Sequence, residues 1–303
     1  MKNIGIIGLG DMGIGMAANL LKNGFKLSGF DLREDRLKKL ERLGGKPAVT
    51  SQEVAENSDI VFIMVLNGQQ VKEVILGETG LLKSLKPGSA IIVTATINPS
   101  EVKELEMPVL DKGINLIDSP VSGGKSGADN GTLTLMTACK KEVFEDCKNV
   151  LEAVGQNIYH VDEEIGIGQT VKAALQALIG ASFTAIFESL VLGVKAGVKA
   201  ETLYEVFSTS GVGSPLLKNT IELIMERKFK GTGSHIGTMY KDLGISMNMA
   251  KENGVAMFTT SAAYELFRSG KSLFPEEDNW SIVKLLEQIA GIEVKKQKRK
   301  VDE

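Results

Sequence analysis

The 303-residue sequence is poor in the residues that staple a protein or bind metal. It has two cysteines, Cys139 and Cys147, and two histidines, His160 and His235. Two thiols make no disulfide framework, so a reducing compartment, the cytoplasm, is expected. Metal-ligand spacing is missing too, so no metal is expected. An excess of charge of one sign is also lacking, because 35 basic and 38 acidic side chains leave a net −3. That balance offers no electrostatic basis for nucleic acid or an anionic membrane as partner. The start, Met1-Lys2-Asn3 running into Ile4-Gly5-Ile6-Ile7, lacks the length and flanks of a signal peptide. The longest apolar stretch, Ala173 to Val194, is as long as a membrane span. It carries Gln176, Ser182, Thr184 and Glu188 and lies between Lys172 and Lys195. A glutamate at mid-bilayer is costly, so a helix buried on most sides by protein is the expectation.

What is present is the composition of a soluble globular chain, 43% hydrophobic and 24% charged, and long enough for two domains. Short apolar runs at Ile4–Ile7, Leu27–Asp31, Ile60–Val65, Ala90–Thr94, Asn115–Asp118 and Leu133–Thr137 predict strands. Between them lie amphipathic segments, among them Gly13–Asn23, Arg33–Leu43, Ser51–Asn57 and Gln69–Leu76. Such alternation predicts a parallel sheet with helices on both faces. After about Glu163 the pattern turns helical: Gly168–Ala196, Ala200–Thr209, Pro215–Arg227, Tyr240–Asn253, Phe258–Ser269 and Asn279–Ile289. The expected fold is α/β: a doubly wound Rossmann domain (1–163), then an all-helical domain for substrate and dimerisation (164–293), joined by a long interdomain helix. A charged tail (294–303) is expected to fray.

Gly8-Leu9-Gly10-Asp11-Met12-Gly13 fits G-x-G-x-x-G, follows an apolar strand and opens a helix. Gly8 would allow the tight turn, Gly10 the approach of a pyrophosphate, and Gly13 close packing of helix on strand. Unpaired N–H groups at the helix start then face the phosphate charge. A glycine-rich turn without a ligand is the alternative. Asp31, at the end of the second strand, is placed to accept from ribose hydroxyls, which favours NAD over NADP, although nearby Arg33 blurs that preference. It could also cap the next helix. Leu66, Asn67 and Thr96 lie where the next strands end and are expected to frame the nicotinamide half; turn chemistry at Asn67-Gly68 and Asn98-Pro99 is the competing explanation.

The segment Asp118-Ser119-Pro120-Val121-Ser122-Gly123-Gly124 ends in a turn whose hydroxyl and bare N–H groups suit a carboxylate. It continues through Gly127-Ala128 and Gly131-Thr132-Leu133-Thr134-Leu135-Met136 to Gly166-Ile167-Gly168, Lys172 and Lys241-Asp242-Leu243. In this order and spacing, from Ile4 to about Leu286, the set resembles the 3-hydroxyisobutyrate dehydrogenase family, also called β-hydroxyacid dehydrogenases. The resemblance implies that Ser122, Gly123 and Gly124 bind substrate, that Lys172 is the catalytic lysine, and that Lys241 reaches toward the cofactor and substrate. It also implies that Gly8 to Gly13 bind NAD. One departure stands out: the family usually has two asparagines three and four residues after the lysine, where this chain has Leu175 and Gln176. Gln176 falls one helical turn beyond Lys172 and can still offer an amide to substrate. A glutamine there is similar to the L-threonate dehydrogenase branch, which handles four-carbon sugar acids.

The expected chemistry is oxidation of a small hydroxy acid. Its carboxylate rests on Ser122, Gly123 and Gly124 while Lys172 takes the hydroxyl proton, and burial and a neighbouring cationic nicotinamide would lower that lysine's basicity. A lysine near a helix start opposes the helix dipole, so helix stability does not account for it. Reduction of a semialdehyde, such as tartronate semialdehyde, is an alternative, as is 3-hydroxyisobutyrate oxidation. A cofactor-sensing protein without chemistry is another. His160, His235, Cys139, Cys147 and Asp242 are expected to be structural, and Trp280 either closes a cleft or sits in a core. The apolar long helix predicts a homo-oligomer, dimer or tetramer.

Overall fold

The apolar run at the start forms the first strand of a nine-stranded sheet in the computed structural model, which describes residues 2–296. The strands are β1 (Asn3–Ile7), β2 (Lys26–Phe30), β3 (Lys46–Pro47), β4 (Ile60–Ile63), β5 (Ala90–Val93), β6 (Asn115–Asp118), β7 (Val121–Ser122), β8 (Leu133–Ala138) and β9 (Gly155–Asp162). Their order is β3-β2-β1-β4-β5-β6-β8-β7, with β9 paired to β8. From β3 to β6 every pairing is parallel. The chain steps outward from β1 to β2 and β3, then returns to β4 on the other side of β1, so the switch point lies between β1 and β4. The carboxyl ends of the strands at such a point are the usual ligand edge of a doubly wound sheet. β4 and β5 are buried throughout, which is why they read as unbroken runs of Ile, Val, Phe and Ala.

The sheet is not wholly parallel, and this corrects the expectation. β8 runs antiparallel to β6 and β7, while β9 runs parallel to β8. β6 and β7 run in the same direction and pair with β8 in one register, Asp118 opposite Ala138 and Val121 opposite Leu135. The chain therefore reverses between Ser122 and Leu133, a link too short for the crossover that a parallel neighbour requires. The helices Pro99–Leu110 and Lys141–Glu152 join those read from the sequence.

The chain divides after Lys172 into two units, so the first turns of the helix Ile167–Lys195 belong with the sheet. The second unit contains the rest of that helix and the helices Ala200–Thr209, Pro215–Met225, Ile236–Glu252, Phe258–Leu273 and Val283–Ala290. Its core gathers Phe183, Phe187, Phe267 and Trp280. Trp280 is buried with its ring edge-on to Phe183 at 5.8 Å, so the indole is a core residue. The helix Ile167–Lys195 is long and apolar enough to cross a membrane. Protein covers much of it: a Cβ on Gly180 would lie 2.6 Å from Leu243, and one on Gly193 2.6 Å from Leu203. Of the expected tail, Val294 is fully buried and its N–H donates to Glu287 at 2.7 Å, so the chain does not fray there. Residues 297–303 of that tail lie outside the described residues.

Both cysteines are buried, and burial pushes the thiol of Cys139 up to about 12 and that of Cys147 up to about 11. Thiols this hard to ionise are packing residues. His160 is structural as well, with Nε2 2.7 Å from the Cys139 carbonyl and its ring 4.8 Å from Phe144.

Candidate functional site

The glycine loop leaves β1 at the switch point. Gly8 has φ +90°, and its N–H donates to the Phe30 carbonyl at 2.9 Å. A Cβ there would lie 2.2 Å from the Met64 carbonyl oxygen, and one on Gly13 1.9 Å from the Gly8 carbonyl oxygen. Gly10 differs, because a Cβ built there would meet no atom within 4 Å. Gly8 and Gly13 therefore serve the turn and the helix, while Gly10 keeps one side of the loop open to an approaching group. The helix Asp11–Lys22 starts at Gly10 with no side-chain cap, so its first N–H groups face that open side. This cradle fits a dinucleotide pyrophosphate.

Asp31 ties the loop to β2. Its two carboxylate oxygens accept from the Leu9 N–H at 2.7 Å and the Arg33 N–H at 2.9 Å. It does not cap the following helix, whose N-cap is Arg33. The Arg33 guanidinium reaches only to 3.9 Å from Asp31 and is half exposed. Leu9 is buried and its N–H is committed to Asp31, while Asp11 pairs with Arg36 at 3.1 Å. Met12 packs against the sheet core. Beyond β4, Leu66 is exposed, and Asn67 caps the helix Gly68–Leu76 by accepting from the Gln70 N–H at 2.9 Å. Gln70 in turn accepts from the Leu66 N–H at 2.8 Å. The turn explanation for Asn67 is thus realised.

The lysine-bearing helix is fastened to the same sheet edge. Gln169 grips the strand end after β5 on both sides of Thr96: its Oε1 accepts from the Ile97 N–H at 3.1 Å and its Nε2 donates to the Ala95 carbonyl at 3.0 Å. Asp118, the last residue of β6, accepts through Oδ2 from the N–H groups of Gly166 at 2.9 Å and Gln169 at 3.1 Å. Three residues beyond Gln169, Lys172 is only 5% exposed, a rare setting for a lysine. Past β6 the chain turns through β7 into Ser122, half-buried, and into Gly123 and Gly124, exposed with φ +128° and +58°. Gly8, Asp31, Asn67, Thr96, the Ser122–Gly124 turn and Lys172 thus all follow carboxyl ends of strands or are pinned to them.

Asp118 and Gln169 were not read as site residues. Nothing in a strand ending Leu-Ile-Asp marks its last residue as an anchor for a helix 48 positions on. Full burial pushes the Asp118 carboxyl up to about 7, opposed only in part by the backbone N–H groups of Gly166, Gly168 and Gln169. An acid easier to protonate folded than unfolded costs stability as pH rises from about 4, its unfolded value, through 7, and costs no more above that.

In the second unit Gln176 is buried and its Nε2 donates to Asp242, while Lys241 lies 2.8 Å from the other Asp242 oxygen. Asp242 therefore pairs locally, and it fixes which end of the Gln176 amide is committed. His235 is half exposed, 3.7 Å from the buried Asp278. Among the described residues no group of three or more His, Cys, Asp or Glu is placed to hold a metal ion.

Known proteins similar to this chain are NAD-binding dehydrogenases. Residues 3–162 match a family model described as the NAD binding domain of 6-phosphogluconate dehydrogenase, and residues 166–286 one described as NAD-binding of NADP-dependent 3-hydroxyisobutyrate dehydrogenase. The chain is 37% identical to a 2-(hydroxymethyl)glutarate dehydrogenase of Eubacterium barkeri, over 96% of this chain and 97% of that protein. It is 31% identical to an L-threonate dehydrogenase of Cupriavidus necator, over 97% and 98% of the two chains. A crystal structure of 3-hydroxyisobutyrate dehydrogenase from Salmonella typhimurium superposes with a TM-score of 0.86 at 30% identity, covering 94% of this chain and all of that one.

Proposed function

This chain belongs to the 3-hydroxyisobutyrate dehydrogenase family of NAD-binding β-hydroxyacid dehydrogenases, oxidoreductases acting on CH–OH groups, and we propose that it oxidises a hydroxyl of a small, sugar-like hydroxy acid of the L-threonate class. The observation that carries this is a buried lysine on a helix start hydrogen-bonded to the ends of β5 and β6, the sheet edge that also bears the glycine loop. Gly8, Gly10, Gly13 and Asp31 hold the dinucleotide, which when bound accepts the hydride. Asp31 repels a 2′-phosphate, so NAD is preferred. Ser122, Gly123 and Gly124 hold the substrate carboxylate. Lys172 Nζ takes the hydroxyl proton as the carbonyl forms, and returns it in the reverse direction.

Gln176 supports a hydroxylated substrate. Its amide nitrogen gives one of its two N–H groups to Asp242, which orients the amide, and the oxygen is an acceptor that suits a hydroxyl better than a carboxylate. The family resemblance assigns Lys241 to the cofactor and substrate. A second substrate, 2-(hydroxymethyl)glutarate, is favoured by the 37% identical relative. A panel of L-threonate, D-threonate, erythronate, 2-(hydroxymethyl)glutarate, glycerate, 3-hydroxyisobutyrate and L-serine, each with NAD and NADP, tests both. Expected is the highest kcat/KM with L-threonate and NAD. Preference for 3-hydroxyisobutyrate or for NADP refutes the roles given to Gln176 and Asp31 respectively.

Leu178, Ala185 and Leu192 lie exposed at seven-residue intervals on the long helix, a seam suited to a second copy of this chain. Light scattering should give a dimer or tetramer, and Leu178→Glu with Leu192→Glu should shift it toward monomer. A wild-type monomer overturns the oligomer proposal.

A further inference from the structure

We propose that Asp118 is a positioning residue for Lys172, its carboxylate fixing the start of the lysine-bearing helix to the carboxyl end of β6. This rests on Lys172 being the proton-transfer residue. Helix starts are ordinarily capped from within, by a side chain just before the first turn. Here the acceptor comes from a strand end far away in sequence, taking the Gly166 and Gln169 N–H groups on one oxygen. A local cap would satisfy those N–H groups equally well, but it would leave the helix free to slide or turn on the sheet.

The arrangement is costly for stability alone. Asp118 is fully buried, and among the described residues its second oxygen has no hydrogen-bond partner. An unpaired buried carboxylate oxygen is a penalty that a protein selected only for stability would shed. What it secures is geometric. Four residues after Asp118 the chain is already in the Ser122–Gly124 turn, and six residues after Gly166 it reaches Lys172. One side chain thus joins the roots of the segments that hold the substrate and take its proton. Gln169 supplies a second tie to the strand end after β5, so helix rotation is fixed at two points. Even small displacements of a proton-transfer group cost turnover steeply.

The test compares Asp118→Asn, Asp118→Ala, Lys172→Ala and the double variant Asp118→Ala/Lys172→Ala. Asparagine keeps an acceptor for the two N–H groups and removes a charge that burial disfavours. Expected is a kcat loss for Asp118→Ala of at least ~30-fold, with NADH affinity unchanged and kcat recovered to within ~5-fold in Asp118→Asn. The double variant should be no slower than Lys172→Ala, since a residue acting through the lysine has nothing left to position. Wild-type kcat in Asp118→Ala, or a double-variant loss equal to the product of the single losses, overturns the proposal. If Asp118→Ala does not fold, Asp118→Ser, a shorter and weaker acceptor, takes its place with the same expectations. If Lys172→Ala keeps full turnover, the catalytic reading fails by itself. The tie is then judged by amide exchange at Gly166 and Gln169, which should quicken at least ~10-fold in Asp118→Ala. Unchanged exchange overturns the tie too.

Discussion

Lys172→Ala should leave NADH affinity within twofold of wild type while kcat falls by about 10³, in the range that loss of a general acid–base group produces. The split follows from where the residues lie. The proposed dinucleotide cradle lies at the ends of β1 and β2, at Gly8, Gly10 and Asp31. Lys172 sits on a different element, fastened to the ends of β5 and β6. Lys172→Arg should not rescue turnover, because a guanidinium keeps its charge and cannot relay the proton at neutral pH. Steady-state kinetics with the best substrate of the panel, alongside NADH fluorescence titration, reads both quantities. Near-normal turnover in Lys172→Ala would remove the lysine from the mechanism.

Gly13→Ala and Gly10→Ala should fail in different ways. An added Cβ on Gly13 would sit 1.9 Å from the Gly8 carbonyl oxygen, and Gly8 is itself held by its bond to Phe30. The loop or helix must shift, so a stability loss of about 2–3 kcal/mol is expected, in line with overpacking of a tight site. Dinucleotide affinity should fall by at least ~100-fold, since the N–H groups of the helix start move with the loop. Gly10→Ala adds a methyl group where no atom lies within 4 Å. Melting temperature should therefore stay at the wild-type value while NADH affinity falls at least ~10-fold, through lost close approach of the pyrophosphate. Wild-type affinity in Gly10→Ala would mean that the cofactor does not use this loop.

Much of the sheet was legible because its strands announce themselves as short unbroken apolar runs. The runs at Ile4, Leu27, Ile60, Ala90, Asn115 and Leu133 all lie in strands. Direction was not legible. The reversal between β7 and β8 falls in the short link from Gly123 to Thr132, and no hydrophobic pattern encodes whether the next strand runs up or down. β9 was harder still, since Gln156, Asn157, Tyr159 and Asp162 are exposed and break any apolar run. At the site, Gly8 and Gly13 could be read because the turn and the helix behind it demand glycine, and Gly10 because it completes the spacing. Asp118 and Gln169 could not, because their partners are backbone groups far away in sequence, and a backbone group leaves no mark on the residue type opposite it.

The margins of the sheet bear on how this chain behaves in a crowded solution. A strand with one unpaired side is a template onto which a stranger can add. At one margin stands β3, two residues long and ending in Pro47, which has no N–H to give. Toward the other stands β9, which among the described residues pairs only with β8, carries mostly polar outward residues, and is broken in register at Leu133/Thr134 and Thr137/Ala138. Neither margin offers a flat, apolar, unbroken ladder. Copies that meet edge to edge have little to zip together, and this sheet is built to resist fibril growth.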